Sequence, residues 1–169
     1  MASNAIAAVA VEPPRVSLSQ GLFLLGAVVV LVASYIALCA GLRVADLFPG
    51  YFFLYHWGSI EQAKMRALSH VIPGAVTGLA LGWLLHLMSG SLTGMVGFVL
   101  LLLPIILCQI MGRFRGLINV TTMLFLTFST ISHVQTHASF AAMFASLGIA
   151  IALFVPVVAL AGRFSRAAT

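Results

Sequence analysis

Between Arg15 and Arg43 the chain runs for 27 residues without one Asp, Glu, Lys or Arg. A helix needs ~20 consecutive apolar residues to cross a hydrocarbon core, and this stretch supplies them. Further apolar runs follow. The 169-residue chain is 62% hydrophobic and only 7% charged, whereas a soluble domain carries roughly 25% charged residues. A domain of this size still exposes a large share of its surface, so most of that surface must meet lipid. Membrane barrel strands alternate apolar and polar residues, and these runs do not. The expected fold is all-α, a polytopic transmembrane helical bundle whose first partner is the lipid bilayer.

The net charge of +5 comes from eight Lys and Arg scattered in ones and twos beside the apolar runs. That placement follows the positive-inside bias and gives no reason to expect nucleic acid. Cys39 and Cys108 each fall inside a predicted span, so no disulfide framework is expected. Residues 1–17 read as a polar N-terminal tail without a cleavable signal. Residues 18–162 read as a single transmembrane helical domain and residues 163–169 as a short basic C-terminal tail.

The apolar runs divide at residues 18–42, 47–57, 60–88, 92–111, 117–131 and 138–161. The second opens with Pro49-Gly50. Its eleven residues make roughly 17 Å of helix against a core of ~30 Å. Two arrangements follow: about six membrane segments with the second short and irregular, or five spans plus a re-entrant segment covered by protein or water. Both put Lys64, Arg66, Arg113, Arg115, Arg163 and Arg166 on the inner side. The expected location is therefore an inner (plasma) membrane, multi-pass, with a cytoplasmic C-terminus. Ser59-Ile60-Glu61-Gln62 reads as a capping box that opens the third helix near Ile60, and Pro73 kinks that helix.

The ionisable residues gather between Gly50 and His70. Glu61 reads either as a proton or ion carrier at the mouth of a path, or as a first-turn acid suited to the helix dipole with Lys64 one turn on. His56 and His70 read as proton-relaying groups beside water, or as interfacial imidazoles bonded to backbone. His86 reads as an interface residue. His133 and His137 share one face in "HVQTH", but a zinc site needs three or four ligands and no Asp, Glu or Cys lies nearby. No metal and no cofactor is expected. No nucleophile sits with a base, so the chain is not read as an enzyme.

Gly74, Gly78 and Gly82 form GxxxGxxxG in "PGAVTGLALGW", a flat groove that lets another backbone approach closely, within the chain or on a partner. Ala141, Ala145 and Ile149 offer a smooth face on the last span. "INVTTMLFLTFSTISH" is rich in hydroxyls. It reads as a mildly polar helix whose Ser and Thr bond their own backbone, or as a lipid-shielded span lining a path, with Asn119 in need of a partner on another helix. Tyr51, Phe52, Phe53, Tyr55 and Trp57 read as an interfacial belt.

The order "FPGYFFLYHWGS", "PGAVTGLALGW", an apolar span, basic residues and a Thr-rich short span resembles the small uncharacterised bacterial inner-membrane proteins of the YcdZ type. More distantly it is similar to the membrane halves of fusaric-acid-resistance and aromatic-acid exporters. The resemblance covers about residues 22–154. The chain departs from it at Glu61 and His56, where small or polar residues are expected. It implies an inner-membrane helical bundle and favours transport, and it carries over no functional residue.

The resulting expectation is a small-solute transporter or channel subunit, with His56, Glu61, His70, Asn119, Thr122 and Thr127 as candidates for the path. The alternative is an accessory or scaffolding subunit that docks a partner helix in the groove of Gly74, Gly78 and Gly82. A homo-oligomer or a partner membrane protein is expected in either case.

Overall fold

The computed structural model describes residues 17–167, so all but the last residue of the tail read at residues 1–17 lies outside it. Those residues form helices and connecting turns, with no strand among them. The elements are α1 (Leu18–Gly41), α2 (Phe48–Tyr55), α3 (Leu68–Met88), α4 (Leu92–Ile110), α5 (Val120–Ser129), α6 (Ser132–His137) and α7 (Phe140–Ala167). A wide π turn, His56–Ile60, extends α2, and a 3-10 turn, Met65–Ala67, leads into α3. Among the described residues four helices are long and apolar enough to cross a membrane: Gly21–Gly41, Met65–Met88, Leu92–Ile110 and Phe140–Arg163. The other two central segments, α2 with its π turn and α5, fall short.

The long helices follow from sequence in a direct way. α1 runs to Gly41 and closes through Arg43 in the left-handed region, with Val44 N–H bonded to Cys39 O at 2.8 Å. α4 starts where the Ser91 hydroxyl accepts from Gly94 N–H at 3.0 Å, a side-chain N-cap. α7 continues through Arg163 to Ala167, so the residues read as a basic tail are largely helical.

The chain splits into two compact units between Ala33 and Ser34. The described part of the first is the N-terminal stretch of α1, whose Leu22, Phe23, Leu24 and Leu25 are exposed, as suits a lipid-facing surface. The second unit holds the remaining helices and the core.

Two pairings dominate that core: α3 with α5, and α2 with α7. α3 and α5 run the same way. A Cβ placed on Gly74 would meet the Asn119 side chain, one on Gly78 the Thr122 carbonyl and Phe125, and one on Gly82 Ser129. The glycine groove is therefore filled by α5 of the same chain. α2 and α5 run opposite ways. Phe48 meets Phe128 at 5.6 Å, Phe52 meets Phe128 at 4.7 Å and Phe125 at 6.3 Å, and His56 reaches Thr121. α2 and α7 start together, where the Asp46 carboxylate accepts from Ser139 N–H at 2.9 Å.

These pairings reveal two halves, each long, short, long. α1, α2 and α3 start at 18, 48 and 68; α4, α5 and α7 start at 92, 120 and 140, which gives offsets of 74, 72 and 72. The third helix of each half packs on the middle helix of the other. The two middle helices cross antiparallel, with Phe52 against Phe125 near the crossing, so the α2–α7 pair and the α3–α5 pair have opposite orientation.

One sequence expectation is corrected. Ser59 does not open a helix: it lies within the π turn, and the following Gln62 and Ala63 have φ of 53° and 52°. Hydrogen bonds from Ala63 N–H to Trp57 O (2.8 Å) and from the Trp57 indole to Lys64 O (3.0 Å) close this reversal. They hold two non-glycine residues in a region that L side chains disfavour. The third helix begins eight residues later than expected, at Leu68 rather than Ile60. Glu61 therefore sits in a turn rather than in a first helical turn with Lys64.

Candidate functional site

The end of the bundle that carries Lys64, Arg66, Arg113 and Arg115 collects most of the predicted polar residues. His56 leaves the π turn and is buried; its Nε2 lies 2.9 Å from the Thr121 hydroxyl, while its Nδ1 is buried without a hydrogen-bond partner. Across the turn, Glu61 Oε1 lies 3.4 Å from His70 Nε2, both half-exposed. Asn119 joins three elements at this end. Its Oδ1 accepts from Thr121 N–H (2.9 Å) and Thr122 N–H (3.2 Å), and its Nδ2 donates to His70 O (2.9 Å) and Arg115 O (3.0 Å).

Thr122 completes the cap. It accepts from Asn119 N–H at 3.2 Å and donates to Leu117 O at 2.5 Å, so its hydroxyl is fully used and buried. Two further hydroxyls of α5 and its end bond their own backbone: Ser129 donates to Phe125 O and Thr130 to Thr127 O. Thr127 alone among the predicted path residues lies away from this cluster, exposed near the opposite end of α5. The structure thus brings His56, Glu61, His70, Asn119 and Thr122 to one end of the bundle and leaves Thr127 apart.

An open cavity of about 620 Å³ lies beside this cluster, between the start of α3, the end of α4 and the start of α5. Ser69, His70, Gln109, Arg115 and Asn119 line its polar side. Sequence reasoning placed Arg115 on the inner side without assigning it to a site, and passed over Gln109. The signal was present: Gln109 is a lone amide in the aliphatic run of α4.

The opposite end is tied differently. Gln135 donates to Gly82 O (3.1 Å) and Ser129 O (2.6 Å), and the His86 ring bonds Gln135 O at 2.9 Å. His133 and His137 stack with ring centroids 4.8 Å apart on α6, beside a small cavity of about 70 Å³ that Asp46 also lines. Among the described residues no three His, Cys, Asp or Glu are placed to hold a metal ion.

Tyr35 closes this end between α2 and α7. Its hydroxyl donates to Leu47 O (2.8 Å), which leaves the Ser146 hydroxyl to donate to the Tyr35 oxygen (2.6 Å). The ring is wholly buried, packs on Tyr51 and Phe154 with centroids 5.4 Å away in each case, and fills the notch left by Gly50. Tyr35 and Ser146 also escaped the sequence reading, although Ser146 is a lone hydroxyl in the apolar part of α7.

Among known proteins the chain matches no family model, no curated protein and no solved structure.

Proposed function

We propose that this chain is a small-solute transporter subunit whose six segments cross an inner membrane. Two of the segments, α2 with its π turn and α5, are short and cross one another at the centre. The observation that carries this reading is the exchanged pairing of two halves of opposite orientation. Inverted halves with short or broken central segments are the arrangement in which many secondary transporters hold their solute near the bilayer midplane. The buried, unpartnered Nδ1 of His56 stands beside that crossing. The resemblance to exporter membrane halves is in keeping with this reading and supplies no residue to it.

Orientation follows from charge. Lys64, Arg66, Arg113, Arg115 and Arg163 belong to one end and Arg43 to the other, so the basic end is cytoplasmic. The accessory-subunit alternative rested on the glycine groove, which α5 occupies.

The test is a single-cysteine scan of residues 51–59 in a chain with Cys39 and Cys108 replaced, using membrane-impermeant thiol reagent on either face of sealed vesicles. Transport predicts periodic labelling inside the segment, with Val44→Cys and Ala63→Cys reached from opposite faces. If Val44→Cys and Ala63→Cys react from the same face, the six-segment reading is wrong. Labelling confined to the ends of the segment rejects a water-filled path.

A further inference from the structure

The two halves are alike in plan, yet the two ends of the bundle are not in the same state. At the basic end a cavity of about 620 Å³ opens between α3, α4 and the start of α5. Under the offset that relates the halves, these elements correspond to α7, the end of α1 and the start of α2. That second place is occupied by Tyr35. Its ring is wholly buried, its hydroxyl bridges Leu47 O and Ser146, and Cys39, one turn on, is wholly buried too. By the offset of 74 between α1 and α4, the corresponding residue of α4 is Gln109, which is only partly buried and lines the open cavity instead of filling it.

We infer that Tyr35 is the gate of a second, hidden cavity, and that the structure is the state open at the basic end and shut where the end of α1 meets α2 and α7. The inference rests on the transport reading. In the alternate state the end of α1 would part from α2 and α7, while α4 would close the present cavity.

The geometry of the latch says how to release it. Tyr35 makes its hydrogen bonds through a single oxygen, so Tyr35→Phe removes both and leaves the ring. At Gly50 a Cβ would overlap the Tyr35 ring and hydroxyl, so Gly50→Ala drives the ring out with the hydroxyl intact. The two substitutions act on the same latch by unrelated means.

The native Cys39 reports on the closed end. In a Cys108→Ala background, its reaction with an impermeant maleimide is followed from each face of sealed vesicles. In a chain also lacking Cys39, Gln109→Cys reports on the open cavity. Without a latch substitution, Cys39 is protected and Gln109→Cys reacts from the basic face.

The expectation for Tyr35→Phe is that Cys39 reacts roughly two- to tenfold faster from the opposite face, the shift that loss of a typical hydrogen bond allows, while Gln109→Cys reacts more slowly. Gly50→Ala is expected to do the same. Ser146→Ala, which removes one partner only, gives a smaller shift in the same direction and carries the test if neither stronger variant accumulates. Unchanged protection of Cys39 in folded variants overturns the gate. A rise at both reporters together also overturns it, because simple loosening gives that result. If Gln109→Cys reacts from neither face in the parent chain, the transport reading itself fails; normal reaction there with Cys39 still shut fails the gate alone.

Discussion

Four hydrogen bonds converge on the amide of Asn119, two accepted and two donated. Asp46, 73 positions earlier, sits just before the short helix of its own half and holds the start of the other half's third helix. The difference between acid and amide has a chemical reason. Asp46 meets an N–H and needs only an acceptor; Asn119 meets the carbonyl of His70 and must donate. Asp46→Asn therefore leaves stability within about 0.5 kcal/mol, as for most surface changes. Asn119→Ala costs about 1–3 kcal/mol, from the lost cap and an orphaned carbonyl, and Asn119→Asp is also destabilising because the donor is gone. Thermal unfolding of the three variants in detergent checks the ordering. At this scale the sequence showed that Asn119 required a partner on another helix, since an amide in lipid cannot satisfy itself. It did not show that the partner is a backbone carbonyl, because that depends on how two distant segments meet.

Among the elements, α3 illustrates both what a sequence exposes and what it hides. Three glycines at four-residue spacing announce a flat helix face, and the face exists. Which helix fills it is a property of the whole chain. The start of α3 was misread because Ser59 and Gln62 match a capping pattern, while the reversal that replaces it depends on the Trp57 indole finding Lys64 O. The hydroxyls of α5 could line a path or bond the backbone, and several of them do the latter. By contrast, α1 and α4 match their predicted limits to within a residue, because an uninterrupted apolar run has no competing interpretation. Glycine contacts give a sharp prediction. An added methyl at Gly78 meets the backbone of α5, whereas Gly148 faces open space. Gly78→Ala lowers stability by about 1–3 kcal/mol, the usual range for overpacking, and Gly148→Ala leaves it unchanged, as thermal unfolding of the two proteins in the same detergent would show.

The molecule as a whole is interlocked. Each half gives its third helix to the other, so neither half keeps its main packing alone. If the chain is cut in the loop at Gly90 and the halves are expressed separately, neither accumulates; expressed together they copurify as one complex. Stable accumulation of either piece by itself would show that the exchanged pairing is not what holds the fold. The apolar flank of α4, with Val99, Leu100, Leu103 and Leu107 exposed, stays outside this exchange, as suits a lipid-facing surface.

The pairing of α2 with α7 also sets an order of events during synthesis. Eighty residues of chain separate Ile60 from Phe140. At about 5–20 residues per second, roughly 4–16 s pass between completion of the short segment and the appearance of the helix it packs against. Throughout that interval α2 is too short to span the bilayer by itself and lacks α7, the helix against which it packs most. A ribosome making this chain must therefore leave its second segment sheltered by the insertion machinery until the last helix arrives.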